Sequence, residues 1–298
     1  MGQLAEPAFH RPVMVDEVLS FLQPVFARPG TVIDATVGGG GHAHAILDIF
    51  GAGRLLGLDA DPEALASARR QLAKHDNLEL VHASYVRMAD IVKKMNLEPV
   101  TGVLMDFGVS MHQLVTPGRG FGFESDGPLD MRFDQSASQP PALTLVRRVT
   151  RRQVLEWLRN YGQEPFANRI ARRISEHKET LRTTSGLANL VRSCVPAHRA
   201  RKTLARVFQA LRIAVNDELE NVRRGLAVAI DLLAPGGRLV AISYHSLEDR
   251  QAKLALREAR TEGRLDVLTP KPLRPTVIEV LANPAARSAR LRAAEKRA

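Results

Sequence analysis

The sequence predicts an α/β fold of the Rossmann-like kind, interrupted by an inserted helical domain. Three observations predict it. Short apolar runs alternate with helical segments through the first 106 residues. A run of four glycines, Gly38 to Gly41, follows the first of those runs. A long stretch after Asp106 carries helical periodicity and no strand signal. Apolar strands alternating with helices indicate a parallel sheet covered on both faces.

Each element follows from local composition. Thr31 to Ala35 is a β-branched run that ends in glycines, and His42 to Phe50 then reads as a helix. Leu55 to Asp59 is an apolar strand closed by an acid. Pro62 to His75 reads as a helix, with Pro62 suited to its first turn and Asp61 to its cap. Leu78 to Val81, the helix Val86 to Met95 and the strand Val103 to Asp106 continue the alternation. Residues 107–142 are rich in Gly, Pro, Ser and Asp and hold no long periodic segment. Helices are expected near 150–160, 165–179, 185–195, 200–215 and 217–233. Strand signals return only at Arg238 to Ser243, after the turn Pro235-Gly236-Gly237.

Composition bounds the function class. At 298 residues the chain has room for about two domains. Its 45% hydrophobic and 25% charged residues are those of a globular protein rather than a fibrous or disordered one. Cys194 is the single cysteine, which excludes an intrachain disulfide and fits a reducing compartment. The first residues lack the pattern of a secretory signal, and Glu6 stands where a myristoylation signal wants Ser or Thr. The longest apolar candidate for a membrane span, Leu226 to Leu233, is cut by Asp231.

The net charge of +10 indicates a polyanionic partner, nucleic acid or an anionic membrane. It is concentrated. Residues 147–212 hold 16 Lys+Arg against 4 Asp+Glu, a local excess of +12. Pairs such as Arg147-Arg148, Arg151-Arg152, Arg172-Arg173 and Arg201-Lys202 favour a phosphate-facing surface over solvated helix faces. Aromatics are sparse there, so no stacking platform for single strands is expected. Trp157 and Phe208 read as core.

The glycine loop lies between a strand and a helix, where glycines let a ligand approach the backbone. Gly38, Gly40 and Ala43 satisfy the dinucleotide pattern G-x-G-x-x-A. Asp59 ends the next strand, placed to accept from two ribose hydroxyls. A tight turn with a capping Asp is the bland alternative. NAD and S-adenosylmethionine both fit such a crevice. Asp106-Phe107-Gly108 after the fourth strand and the helix-turn-strand around Pro235-Gly236-Gly237 favour S-adenosylmethionine. No His/Asp/Glu spacing supports a metal site.

Read together, the motifs resemble one family, the bacterial ribosomal RNA small-subunit cytosine-N4 methyltransferases and their mitochondrial counterparts. The strings are His10 to Val18, Thr36 to His42, Asp59 to Pro62, Asp106 to Ser110, Arg119 to Phe121, Asp126 to Arg132, Phe208 to Ile213, Tyr244 to Arg250, Asn283-Pro284 and Arg287 to Ala289. The resemblance implies a class I S-adenosylmethionine-dependent methyltransferase. Its methyltransferase domain would be discontinuous, residues 1–112 and 214–298. Residues 113–213 would form the inserted helical, basic substrate-recognition domain. It implies methyl transfer to N4 of a cytidine in the decoding region of 16S ribosomal RNA. Gly40, Gly41, His42, Asp59, Tyr85, Asp106 and Gln113 would bind the cofactor. Val37, Ala60 and Met111 depart from the family pattern, and the stretch between Arg250 and Lys271 is short.

The exocyclic amine of cytosine is a poor nucleophile, so its nitrogen must be aimed and its developing charge stabilised. Asp106 is expected mainly to hold the cofactor's amino group. Ser110, His245 and Ser246 are candidates to line the target base, with loop capping as the alternative for the last two. Asp130 and Arg132 either fix the RNA or pair with each other. The base must also leave its stack to be reached. Two other readings remain: a catalytically silent RNA-binding or assembly factor on the same fold, and an NAD-dependent oxidoreductase. The expected partner is 16S ribosomal RNA in the small subunit, with no membrane and with homodimer formation left open. A bacterial cytoplasm is expected because only nine residues precede His10, with the mitochondrial matrix as the alternative.

Overall fold

A computed structural model describes residues 12–50 and 53–298. His10 and Arg11 of the first motif, and the residues read for a leader signal, lie outside the described residues. The chain divides into two compact units, Met1–Gly108 with Leu219–Ala298, and Val109–Glu218.

The first unit is built on one sheet. Its strands are β1 (Thr31–Asp34), β2 (Arg54–Asp59), β3 (Leu78–His82), β4 (Val100–Asp106), β5 (Leu233–Ser243), β6 (Leu265–Val267) and β7 (Arg290–Lys296), in the order β3-β2-β1-β4-β5-β7-β6. Strands β1 to β5 run parallel, and β7 is antiparallel to both of its neighbours. Consecutive strand residues bury on opposite faces. Val32, Leu55, Leu104 and Val240 join one core cluster, while Ile33, Leu56, Met105 and Ala241 join another. This is why these strands read as unbroken apolar runs.

Helices α1 (Val15–Phe26), α2 (Gly41–Leu47) and α3 (Pro62–Gln71) cover the first face, and α4 (Met88–Met95) packs on the second. Asp61 caps α3 as expected, accepting from the Glu63 N–H at 3.0 Å, with Pro62 in the first turn. The helix α1 carries no signal in the sequence reading, and Pro24 stands inside it. Val18, Leu22 and Val25 on one side of it are fully buried, and that burial outweighs the missing donor.

The chain then builds the second unit from α5 (Met111–Val115), α6 (Ala142–Arg148), α7 (Arg151–Asn160), α8 (Ala167–His177), α9 (Thr184–Arg192) and α10 (Ala197–Asn216). Their buried faces share one core that includes Ile170, Leu187 and Phe208, with Trp157 partly buried against it. The unit's edges differ from those read in the sequence. Residues 109–112 belong to it because Ser110 caps α5, and residues 214–218 because α10 continues to Asn216 and Arg212 pairs with Glu218 at 2.7 Å.

The chain returns through α11 (Glu218–Leu232), α12 (Ser246–Thr261) and α13 (Val277–Ala282). Two further expectations need correction. Pro235-Gly236-Gly237 is not separate from the strand. It lies inside the range of β5 as a bulge, where the ladder with β4 passes from Leu233 to Arg238, Gly236 takes φ +73 and continuous pairing begins at Arg238 as expected. Strands also continue beyond Ser243, where the sequence carries no strand signal. Strand β6 has three residues, and β7 reads Arg-Leu-Arg-Ala-Ala-Glu-Lys with no β-branched residue. Pairing with β5 and burial of Leu291 and Ala293 make β7 a strand. Among the described residues no helix is long and apolar enough to cross a membrane.

Candidate active site

The strand order places a crevice. From β1 the chain proceeds to β2 on one side, while β4 lies on the other, so β1 and β4 flank the point where the order reverses. Ligands of open α/β sheets bind outside the carboxyl ends of the strands at such a point. An aspartate closes each of the three strands around it: Asp34, Asp59 and Asp106.

The glycine loop after β1 is shaped by backbone conformation. Gly38 has φ +54 and Gly40 φ +97, a region that L side chains rarely adopt. A Cβ placed on Gly38 would meet nothing nearer than the Thr36 carbonyl at 3.9 Å, so space is open above the turn. Asp59 holds the loop. Its Oδ2 accepts from the Gly38 N–H at 2.8 Å and its Oδ1 from the Asp61 N–H at 2.8 Å. Burial pushes its pKa up to about 6, against the backbone hydrogen bonds that favour the carboxylate. With the Ala60 N–H as a third backbone donor, the two oxygens of the carboxylate still keep a lone pair between them for a ribose hydroxyl.

Asp34 and Asp106 are joined through Thr36. The Thr36 N–H donates to Asp34 Oδ1 at 3.2 Å, and the Asp106 N–H donates to Thr36 Oγ1 at 2.7 Å. Burial raises Asp34 to about 7, and its Oδ2 has no partner. Asp106 is raised to about 8, first by burial, with Asp34 and Glu248 adding repulsion and the Tyr244 hydroxyl opposing. The Tyr244 hydroxyl donates to Asp106 Oδ2 at 3.3 Å, and His42 Nδ1 lies 3.7 Å from the same oxygen. His42 Nε2 lies 2.9 Å from the Val13 carbonyl, which can only accept, so Nε2 carries the proton. His42 is therefore buried between Val13 and Asp106. Asp106 Oδ1 remains buried with no hydrogen-bond partner.

The turn after β5 is set by Glu248, itself 1% exposed. Its Oε2 accepts from the N–H groups of Tyr244 at 2.9 Å and His245 at 3.3 Å. His245 caps α12, its Nδ1 accepting from the Glu248 N–H, so the loop-capping alternative describes its observed role. Its Nε2 lies 3.0 Å from Glu248 Oε1, close but out of line for a hydrogen bond. Ser246 is the first residue of α12. Tyr85 packs its ring edge-on to Phe107 at 6.2 Å, and a Cβ on Gly225 of α11 would strike that ring at 2.4 Å.

The second unit holds the other sequence candidates. Ser110 and Gln113 form a reciprocal cap of α5, with Gln113 N–H donating to Ser110 Oγ at 3.1 Å and Ser110 N–H to Gln113 Oε1 at 3.0 Å. Asp130 and Arg132 pair with each other through two hydrogen bonds of 2.8 and 2.9 Å. Arg132 also donates to the carbonyls of Ala137 and Gln139, so this motif is a structural tie. Of the basic pairs, Arg147 turns to the carbonyls of Lys178 and Leu181, while Arg152 and Arg172 reach acids on their own helices. Arg148, Arg151, Arg159 and Arg169 are exposed.

The sequence reading missed Asp34, Thr36, Tyr244 and Glu248 as site residues. One signal was available for Asp34, since it ends its strand as Asp59 and Asp106 end theirs. For Tyr244 and Glu248 the signal was their place in the string Tyr244 to Arg250, and the crossing of β5 beside β4 brings them to Asp106.

The residues fit S-adenosylmethionine. The partnerless Asp106 Oδ1 is an acceptor for an amino group, and the open glycine turn leaves room beside Asp59. Fold and site together define a class I S-adenosylmethionine-dependent methyltransferase. The chain belongs to the MraW methylase family, whose model matches residues 7–297. It is 42% identical to the ribosomal RNA small subunit methyltransferase H of Thermomicrobium roseum, covering 96% of this chain and 93% of that one. It is also 42% identical to the protein of the same name from Acidothermus cellulolyticus, covering 99% and 96%. Among solved structures it is similar to an rRNA methylase from Streptococcus thermophilus, with a TM-score of 0.45 and 12% identity over 99% of both chains.

Proposed function

We propose that the protein methylates N4 of a cytidine in the decoding region of 16S ribosomal RNA, within the small subunit. The observation that carries the methyl-transfer part is the buried, partnerless Oδ1 of Asp106 at the switch point, beside an open glycine turn and Asp59. Identity of 42% over nearly the whole chain with small-subunit methyltransferases supports the ribosomal substrate. The +12 carried by residues 147–212, with Arg148, Arg151, Arg159 and Arg169 exposed, supports RNA held by the helical unit. That charge division disfavours the oxidoreductase reading, which leaves it without a role.

S-adenosylmethionine supplies an electrophilic methyl group on a sulfonium. Asp59 would receive a ribose hydroxyl with the lone pair left over from the Gly38, Ala60 and Asp61 N–H groups. Gly40 and Gly41 let the loop lie close on Leu72 and Pro12, which fixes the turn that would face the cofactor, and Tyr85 would border the adenine. Asp106 would receive the cofactor's amino group at Oδ1, while the Tyr244 hydroxyl holds its Oδ2. Gln113 keeps its cofactor role as an expectation of the family, alongside its cap of α5. On the target side, Ser110 still has its own hydroxyl proton to donate while accepting from Gln113. Ser246 lies at the start of α12, and His245 positions that helix end. The protein acts in the bacterial cytoplasm.

Transfer of tritium from labelled S-adenosylmethionine to small subunits that lack the mark tests the reading. The expected product is N4-methylcytidine in 16S RNA, with the Asp59→Ala variant inactive. Unlabelled subunits together with wild-type binding of S-adenosylmethionine would leave an assembly factor on the same fold.

A further inference from the structure

We propose that His44, Asp48 and His75 form a site for a first-row divalent ion of the zinc type, which ties the end of α2 to the loop after α3. His44 lies in the last turn of α2 and Asp48 caps that helix, four residues on. Side chains so spaced share a helix face. His75 comes from the connection between α3 and β3. One ligand atom from each of the three lies within 4.8 Å of the others.

The contacts show a cluster already half-formed. His44 Nδ1 is 2.9 Å from Asp48 Oδ2, and the His44 and His75 rings meet edge-on at 5.9 Å. His75 Nε2 is buried with no hydrogen-bond partner, although the residue as a whole is partly exposed. An imidazole nitrogen withdrawn from water needs a partner, and a coordinated cation supplies one. Two imidazoles and one carboxylate, with a fourth position for water, suit zinc better than the harder magnesium or calcium. Lys74 Nζ sits 3.7 Å from Asp48 Oδ1, but its side chain is 63% exposed and can turn into solvent.

The sequence hides this grouping because His75 comes from the connection after α3 and meets His44 only in the folded chain. Helix α2 begins at Gly41, directly after the glycine turn. A clip at its far end would brace the helix that carries the turn, without touching the reacting groups.

Calorimetric titration of the chelator-treated full-length protein with zinc chloride tests the site. One ion per chain is expected, with a rise in the thermal midpoint. His75→Gln and Asp48→Asn, both with unchanged circular dichroism, should each weaken binding by about a hundredfold, the upper end of what losing even a supporting partner costs a metal site. Lys74→Ala should bind at least as tightly, because a like charge is removed. Absence of zinc binding by the wild type, or equal binding by both ligand variants, would overturn the proposal.

Discussion

The hydroxyl of Tyr244 donates to Oδ2 of Asp106 across 3.3 Å and leaves Oδ1 of the same carboxyl buried with no partner. A carboxyl so placed is in part an acceptor waiting for a donor. Burial raises it to about 8, so in the ligand-free protein it is mostly protonated at neutral pH.

An ammonium group arriving at Oδ1 reverses that balance, because an opposite charge favours the carboxylate. Binding of S-adenosylmethionine at pH 7 is therefore expected to release a proton. Calorimetry in buffers of different ionisation enthalpy reads this directly. Asp106→Asn should lose the release and bind about ten- to a hundredfold more weakly, the worth of one charge-assisted hydrogen bond. Binding heats that do not vary with buffer would place the amino group elsewhere.

Stability should carry the same signature in the opposite sense to an ion pair. Asp34, Asp59 and Asp106 rise from 3.8 to about 7, 6 and 8 in the folded state. A raised acid favours the folded state fully below its unfolded pKa, and that contribution is lost as pH climbs through the folded value. The ligand-free protein is expected to lose stability between about pH 4 and pH 8 from these groups. Asp34→Asn should flatten the dependence in urea titrations at pH 5, 6, 7 and 8. A variant whose profile parallels the wild type would show that Asp34 is ionised in the folded protein.

Gly40 holds φ +97, and a Cβ there would sit 3.0 Å from Leu72 Cδ1. Gly40→Ala is expected to cost about 1–3 kcal/mol for the strained backbone, with a further loss from the contact. Trimming the neighbour in the double variant with Leu72→Ala should relieve only the contact. A destabilisation of Gly40→Ala below about 0.5 kcal/mol would mean that the loop relaxes without strain.

The Asp130–Arg132 pair is mostly buried, its side chains 12% and 16% exposed. Arg132→Ala removes both guanidinium hydrogen bonds from the Asp130 carboxylate, leaving it the backbone N–H of residue 132 and Gln135, and takes a donor from the carbonyls of Ala137 and Gln139. A loss of about 3 kcal/mol is expected in unfolding of the protein. Affinity of the folded fraction for RNA should stay near wild type, read by filter binding at fixed salt. A selective loss of RNA affinity at full stability would return Arg132 to the RNA surface.

Much of the fold was legible because its elements are strongly patterned. The strands β1, β2 and β4 are apolar runs that end in acids, and the glycine turn after β1 needs backbone angles that glycine supplies. Asp61 and Pro62 mark the start of α3 by side-chain chemistry alone. Less was legible where local preference is weak. Strand β7 has no β-branched residue, and α1 contains a proline, yet burial against the sheet decides both. His245 and Ser110 read as possible target contacts, and tertiary structure shows each as a helix cap as well.

By itself the sequence determined the alternating architecture, the helical insertion, the glycine turn, the acids at the strand ends and the concentration of positive charge. Each depends on residues close together in the chain. Tertiary structure alone decided that Tyr244 and Glu248 are brought to Asp106, that His42 lies between Val13 and Asp106, and that His75 joins His44 and Asp48. Tyr244 lies 138 positions from Asp106, and β5 reaches β4 only after the chain has passed through the helical unit. Contacts of that span follow from strand order and burial, which no local pattern encodes. The same burial that makes the strands apolar raises Asp106, and so turns an ordinary acid into a group whose charge depends on what binds beside it.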